Sequence, residues 1–172
     1  MKISVQVKSR ERVASHGEVF TAEREVKAMC NLVAAQCRDI HATFLEPACG
    51  DGNFLAEILT RKLSSITDDH ERNSLIALSS LYGIDILDDN VNACRQRLFG
   101  IWDSHAEHSQ PAKIQAARIL QHNIVCGDSL KPASITFTEW TFRDDDIVPE
   151  GKEFVLASLM KEDTQQIAIP FE

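Results

Sequence analysis

The sequence is poor in several things at once. It has one tyrosine, two tryptophans, seven glycines and five prolines in 172 residues. With apolar residues at 44% and charged residues at 26%, that scarcity of glycine and proline excludes a collagenous or low-complexity chain and leaves a globular composition. No apolar run approaches the roughly 18 residues of a membrane helix, and no basic start leads into an export-type apolar stretch. The five cysteines (Cys30, Cys37, Cys49, Cys94 and Cys126) include no Cys-x-x-Cys pair, so neither a zinc ribbon nor a thioredoxin-like site is spelled. The reading is of reduced core thiols in a soluble, cytoplasmic protein without a metal site. Bases are short too, 18 against 26 acids for a formal charge of −8. That is a poor electrostatic footprint for unaided nucleic-acid binding. The deficit is concentrated: residues 138–172 hold nine acids and three bases, whereas the first 27 residues hold six bases and four acids.

What is present is best written in the stretch Phe44-Leu45-Glu46-Pro47-Ala48-Cys49-Gly50-Asp51-Gly52-Asn53-Phe54-Leu55. An apolar start meets an acid and a proline, then a Gly-x-Gly turn, then an amphipathic run. This spells a strand over about 43–48, a tight turn, and a helix over about 53–63. Glycine in such a turn tolerates positive φ and lacks the Cβ that holds a ligand away. The helix start points free N–H groups at whatever sits there. Two further runs, Leu81-Tyr82-Gly83-Ile84-Asp85-Ile86 and Asn123-Ile124-Val125-Cys126-Gly127-Asp128, read as strands that also end in an acid. In an open α/β sheet such strand ends line one ligand crevice.

These words resemble those of the S-adenosylmethionine-dependent methyltransferases. Glu46-Pro47-Ala48-Cys49-Gly50-Asp51-Gly52 resembles motif I, closest to the enzymes that methylate adenine N6 in DNA within restriction-modification systems. Gly17-Glu18-Val19-Phe20-Thr21 resembles the Gly-x-Phe-Thr-Pro segment ahead of it, with Ala22 in place of the proline; Gly83-Ile84-Asp85 resembles motif II and Gly127-Asp128-Ser129-Leu130 motif III. The resemblance spans about residues 13–130. It implies an α/β fold, a truncated Rossmann-like methyltransferase sheet with flanking helices, and S-adenosyl-L-methionine as cofactor. It also implies roles. Gly50 and Gly52, with Ala48 between the strand and the turn, admit the methionine half. Asp51 or Glu46 receives its ammonium, and Phe20 and Thr21 reach the same end. Asp85 accepts from both ribose hydroxyls, Ile86 packs on the adenine, and Asp128 accepts from the adenine amino group.

The same resemblance implies a motif that the sequence lacks: an Asp or Asn followed by Pro-Pro and an aromatic residue, which holds the target amine of the flipped base. No two of Pro47, Pro111, Pro132, Pro149 and Pro170 adjoin. A cofactor half without an acceptor half calls for a partner, either a methyltransferase or specificity subunit or a second copy, with DNA engaged only indirectly and no membrane. Two other readings stand beside it: a non-catalytic S-adenosylmethionine-binding regulator or inactive paralogue, and a methyltransferase acting on a small molecule or protein, with Trp140 or Glu139 taking part.

The chain divides on this reading into an amino-terminal helical segment (1–42), a cofactor-binding core (43–130) and an atypical carboxyl segment (131–172). Thr21 is placed to cap a helix over 24–37, with Val26, Met29, Cys30, Val33 and Cys37 on its apolar face. Further helices are expected over 71–80, from a cap at Asp88 or Asp89 with Val91, Cys94, Leu98 and Ile101 inward, and from Pro111 to about 120. Residues 134–142 alternate as a β-strand, expected beside residues 43–48. There the edge would expose Trp140 or Phe142 to another chain. Residues 143–150 read as an acidic loop, 153–160 as a short helix or strand, and the last dozen residues as a tail or docking segment.

Overall fold

Three short apolar runs make the centre of the molecule. In the computed structural model, which describes residues 9, 11–12, 21–143 and 146–160, they are β1 (Phe44–Glu46), β2 (Leu81–Asp85) and β3 (Ile124–Cys126). They form a parallel sheet in the order β1-β2-β3. The register pairs Glu46 with Gly83 and Asp85 with Cys126, so all three chains leave the sheet at the same end. Leu81 and Ile84 of the central strand are fully buried, as in a parallel sheet covered on both faces.

Helices supply the cover. α1 spans Glu23–Leu32, α2 Asn53–Ser64, α3 His70–Ser79, α4 Asp88–His105 and α5 Gln110–Asn123. Each crossover between strands therefore carries two helices, which accounts for the long interval between the glycine turn and Asp85. α2 packs on α4 and α3 on α5. Trp102 on α4, wholly buried, ties that helix to α3: its indole N–H donates to Ser74 Oγ at 2.9 Å, and its ring stacks on His108 at 3.7 Å between centroids. Ser109 caps α5, its hydroxyl accepting from Ala112 N at 3.3 Å, and Pro111 sits in the first turn as expected.

Beyond a 3₁₀ turn at Pro132–Ser134, β4 (Thr136–Thr141) and β5 (Glu150–Val155) form an antiparallel ribbon, followed by the single-turn α6 (Leu156–Leu159). The molecule is thus mixed α/β, with a parallel sheet of three strands and a separate ribbon of two. Among the described residues no helix is long and apolar enough to cross a membrane.

Several expectations are corrected. Residues 136–141 do form a strand, but it pairs with β5 and not with β1. The reason is visible in the packing: Phe137 and Phe154 sit 5.1 and 6.1 Å from the Tyr82 ring, so the ribbon lies against the sheet and does not extend it. Trp140 is not a bare edge aromatic. Its indole N–H donates to Asn123 Oδ1 at 3.0 Å and the Arg118 guanidinium lies over its ring at 4.9 Å. The segment 153–160 is neither helix nor strand alone, because β5 runs straight into α6. Thr21 does not cap α1; the N-cap is Ala22, and Met29 and Val33 are exposed while Val26, Cys30 and Cys37 are buried. Neither Asp88 nor Asp89 caps α4, whose N-cap is Leu87. Inward on α4 lie Val91, Cys94, Leu98 and Trp102, with Ile101 only partly buried. Four cysteines are buried free thiols, but Cys126 is exposed.

Candidate functional site

The shared exit of the three strands opens a cavity of about 390 Å³, within the range of small-molecule sites. β1 delivers Glu46 to its wall, β2 delivers Asp85 and Ile86, and the turn after β3 delivers Asp128 and Leu130. The loop from β1 is tied to β2 by Cys49 N donating to Ile84 O at 2.8 Å. It then turns through Gly50 and Gly52 at φ 53° and 90°, the left-handed region that favours glycine. α2 starts there, with no side chain capping it. Its first residues, Asn53 and Phe54, face the cavity, so the positive end of the helix borders it.

The two glycines do different things. Gly50 lines the cavity. Gly52 does not; a Cβ there would sit 2.7 Å from Cys94 Sγ, so this glycine is demanded by the approach of α4. Asp51 is likewise outside the wall. Its carboxylate pairs with Arg97, Oδ2 to Nη2 at 2.7 Å and Oδ1 to Nη1 at 3.3 Å. Of the two acids proposed for an ammonium, only Glu46 is therefore in the cavity. Among the described residues it accepts one hydrogen bond, a long one from Ala48 N at 3.4 Å, and burial raises its pKa above the ordinary 4.5. A half-desolvated carboxylate with spare acceptor capacity is a receptor for a cation.

Asp85 is heavily committed. Oδ2 accepts from Gly50 N at 2.9 Å, and Oδ1 accepts from Leu87 N at 2.9 Å and Asn90 Nδ2 at 3.2 Å. A carboxylate has about four acceptor positions, so one remains, on Oδ2. Asp85, rather than Asp88, organises the start of α4, while Asp88 accepts from Asn92 Nδ2 at 2.9 Å. Asp128 accepts from Leu130 N at 3.0 Å and pairs with Lys131 at 3.2 Å; the backbone bond, then the lysine, lower its pKa. Thr21 and Ala48 line the cavity, and Thr21 O accepts from Asn53 Nδ2 at 3.4 Å. Ile86 is 56% exposed, so it is wall and not core. Phe20 lies outside the described residues.

Asn90 was not picked out from the sequence. It is buried, donates to Asp85 and accepts from Arg12 Nη2 at 3.2 Å. The available signal was an asparagine in the first turns of a helix, where its helix propensity is poor and a hydrogen-bonding role is the usual reason for it. Asn53 and Phe54 were visible as part of the glycine motif but had no role assigned.

The electrostatic character of the cavity is one-sided. Its walls carry Glu46, Asp85 and Asp128, and among the described residues no lysine, arginine or histidine lines it. Described residues also include no group of three or more His, Cys, Asp or Glu side chains arranged to hold a metal ion. The arrangement suits a ligand with a cationic centre, hydroxyls and an apolar face. It is ill suited to a phosphate chain, which the three carboxylates repel.

Comparison with known proteins adds no relative: no family model matches the chain, and no curated protein or solved structure matches it significantly.

Proposed function

We propose that the chain binds S-adenosyl-L-methionine in the strand-end cavity and is the cofactor-binding component of a DNA adenine-N6 methyltransferase, with the acceptor groups supplied by a partner. The observation that carries the reading is the cavity at the ends of three parallel strands whose charged lining residues, among those described, are all acids. A dinucleotide or nucleoside triphosphate brings phosphates that need donors or bases. S-adenosylmethionine brings none, and carries a sulfonium and an ammonium instead.

The residues fit that group. Glu46 holds the ammonium, and the uncapped start of α2 faces the carboxylate. The remaining acceptor of Asp85 takes one ribose hydroxyl. Ile86 offers its exposed apolar side to the adenine, and Asp128 accepts from the adenine amine. When bound, the cofactor supplies an electrophilic methyl group on its sulfonium. Methyl transfer then needs an amine held in line with that carbon, and the sequence has no adjacent prolines to build the family's acceptor loop. The finer fold reading, a truncated Rossmann-like methyltransferase sheet, rests on the strand order β1-β2-β3 and two-helix crossovers.

Calorimetric titration tests the binding claim. S-adenosylmethionine and its demethylated product should each bind once per chain, and ATP and NAD should not. Silence with both S-adenosyl compounds ends the proposal. Tritium transferred from labelled cofactor to adenine N6 by the purified chain alone would overturn the need for a partner.

A further inference from the structure

A second cavity, of about 330 Å³, opens at the other end of the sheet, again within the range of small-molecule sites. Thr43 and Ser80, the residues directly before β1 and β2, line it. It therefore sits at the amino ends of the strands whose carboxyl ends make the first cavity. The two cavities share no lining residue among those described. α3 brings Arg72 and Ile76 to this wall, and β4 brings Glu139 and Trp140. Here the charge is mixed: Arg72 and His41 are basic and Glu139 is acidic.

Arg72 and Glu139 line one cavity without meeting. Neither makes an ion pair among the described residues. Glu139 makes none even with Lys152, its register partner across the ribbon, and it is the exception in a ribbon whose aromatic side chains pack inward. The Arg72 Nε is buried without a hydrogen-bond acceptor among the described residues, so the fold leaves donor capacity of this guanidinium unused. We propose that this cavity binds a free α-amino acid with an apolar side chain. The ligand's carboxylate pairs with the Arg72 guanidinium, which suits a planar anion, and its ammonium pairs with Glu139. Its side chain lies on the apolar surface of Ile76, Trp140 and Phe142. A zwitterion matches both charges at once. A phosphate is repelled by Glu139, and a simple acid or a simple amine leaves one of the two charges unmatched. None of these residues belongs to the strand-end cavity, so this binding is separate from that of S-adenosylmethionine.

The test is calorimetric titration of the full chain with L-phenylalanine and L-leucine, beside phenylpropionate, which lacks the ammonium, and phenethylamine, which lacks the carboxylate. Phenylalanine should bind once per chain, and each analogue about tenfold more weakly, as loss of a hydrogen bond to a charged group implies. Two variants separate the ends of the ligand. Arg72→Gln should weaken phenylalanine and phenylpropionate and leave phenethylamine unchanged. Glu139→Gln should weaken phenylalanine and phenethylamine and leave phenylpropionate unchanged. Both variants should melt, and titrate with S-adenosylmethionine, as the parent does. Silence of the parent with both amino acids at millimolar concentration overturns the proposal. So does binding that Glu46→Gln abolishes while Arg72→Gln and Glu139→Gln leave it intact, which assigns the amino acid to the strand-end cavity.

Discussion

The parallel sheet and the β4–β5 ribbon use their side chains in opposite ways. The sheet's carboxyl ends place Glu46, Asp85 and Asp128 on the wall of an open cavity, Asp85 and Asp128 with part of their acceptor capacity already used. The ribbon turns its distinctive side chains inward: Phe137 onto Tyr82, Trp140 onto Asn123, and Thr138 to receive, through its carbonyl, the Tyr82 hydroxyl at 3.1 Å. One region keeps polar capacity available to a ligand, and the other uses it to hold the fold. The lesson is that aromatic richness in 134–142 marks a packing surface, whereas modest acids at strand ends line the candidate site.

The comparison can be broken first at its packing side. Phe137 is 2% exposed, and Phe137→Ala should cost about 3–5 kcal/mol of stability in denaturant melts, while the folded fraction keeps its affinity for S-adenosylmethionine. A folded variant with lost affinity would mean that the ribbon shapes the cavity. Gly52→Ala comes next. It combines a φ of 90° with a Cβ 2.7 Å from Cys94 Sγ, and should cost about 2–4 kcal/mol from left-handed strain and overpacking. Gly100→Ala is its control, since a Cβ at this helical position meets nothing within 4 Å, and it should stabilise by about 0.5–1 kcal/mol.

What was legible follows the same division. The glycine turn, the three acid-ended strands and the two-helix crossovers are local words, and the structure has elements where the sequence placed them. Pairing is not local. That 136–141 joins β5 and not β1 depends on Tyr82, Phe137 and Phe154 finding one another across the chain. The role of Asp51 was hidden for a similar reason, since Arg97 lies 46 residues away. Asp85 looked free because the acids after it looked like better caps; only the fold puts Gly50 N, Leu87 N and Asn90 on one carboxylate.

At the site itself, Glu46→Gln should weaken S-adenosylmethionine binding by about 1.5–3 kcal/mol, the worth of a hydrogen bond to a charged group, with little change in melting temperature. Because burial raises the Glu46 pKa above 4.5, parental affinity should fall as pH drops through that raised value, and the variant should lack this component. A further effect, on stability alone, concerns Lys62, which is buried beneath the approach to β1 and donates to Asp39 O and Ala42 O, each at 2.6 Å. Burial pushes it down to about 8 from 10.5. Between those values the unfolded chain binds more protons, so stability rises with pH across the window, and Lys62→Met should flatten the rise in melts between pH 7 and 10.5.

The central claim is that a cationic S-adenosyl cofactor sits among the three strand-end carboxylates. Ultraviolet cross-linking of S-adenosylmethionine carrying a labelled methyl group, followed by peptide mapping, tests it most directly. The account predicts label in the peptides carrying residues 46–54, 85–90 or 127–130, competed by the demethylated product and not by ATP. Label confined to the ribbon, or competition by ATP as strong as by the demethylated product, would contradict it.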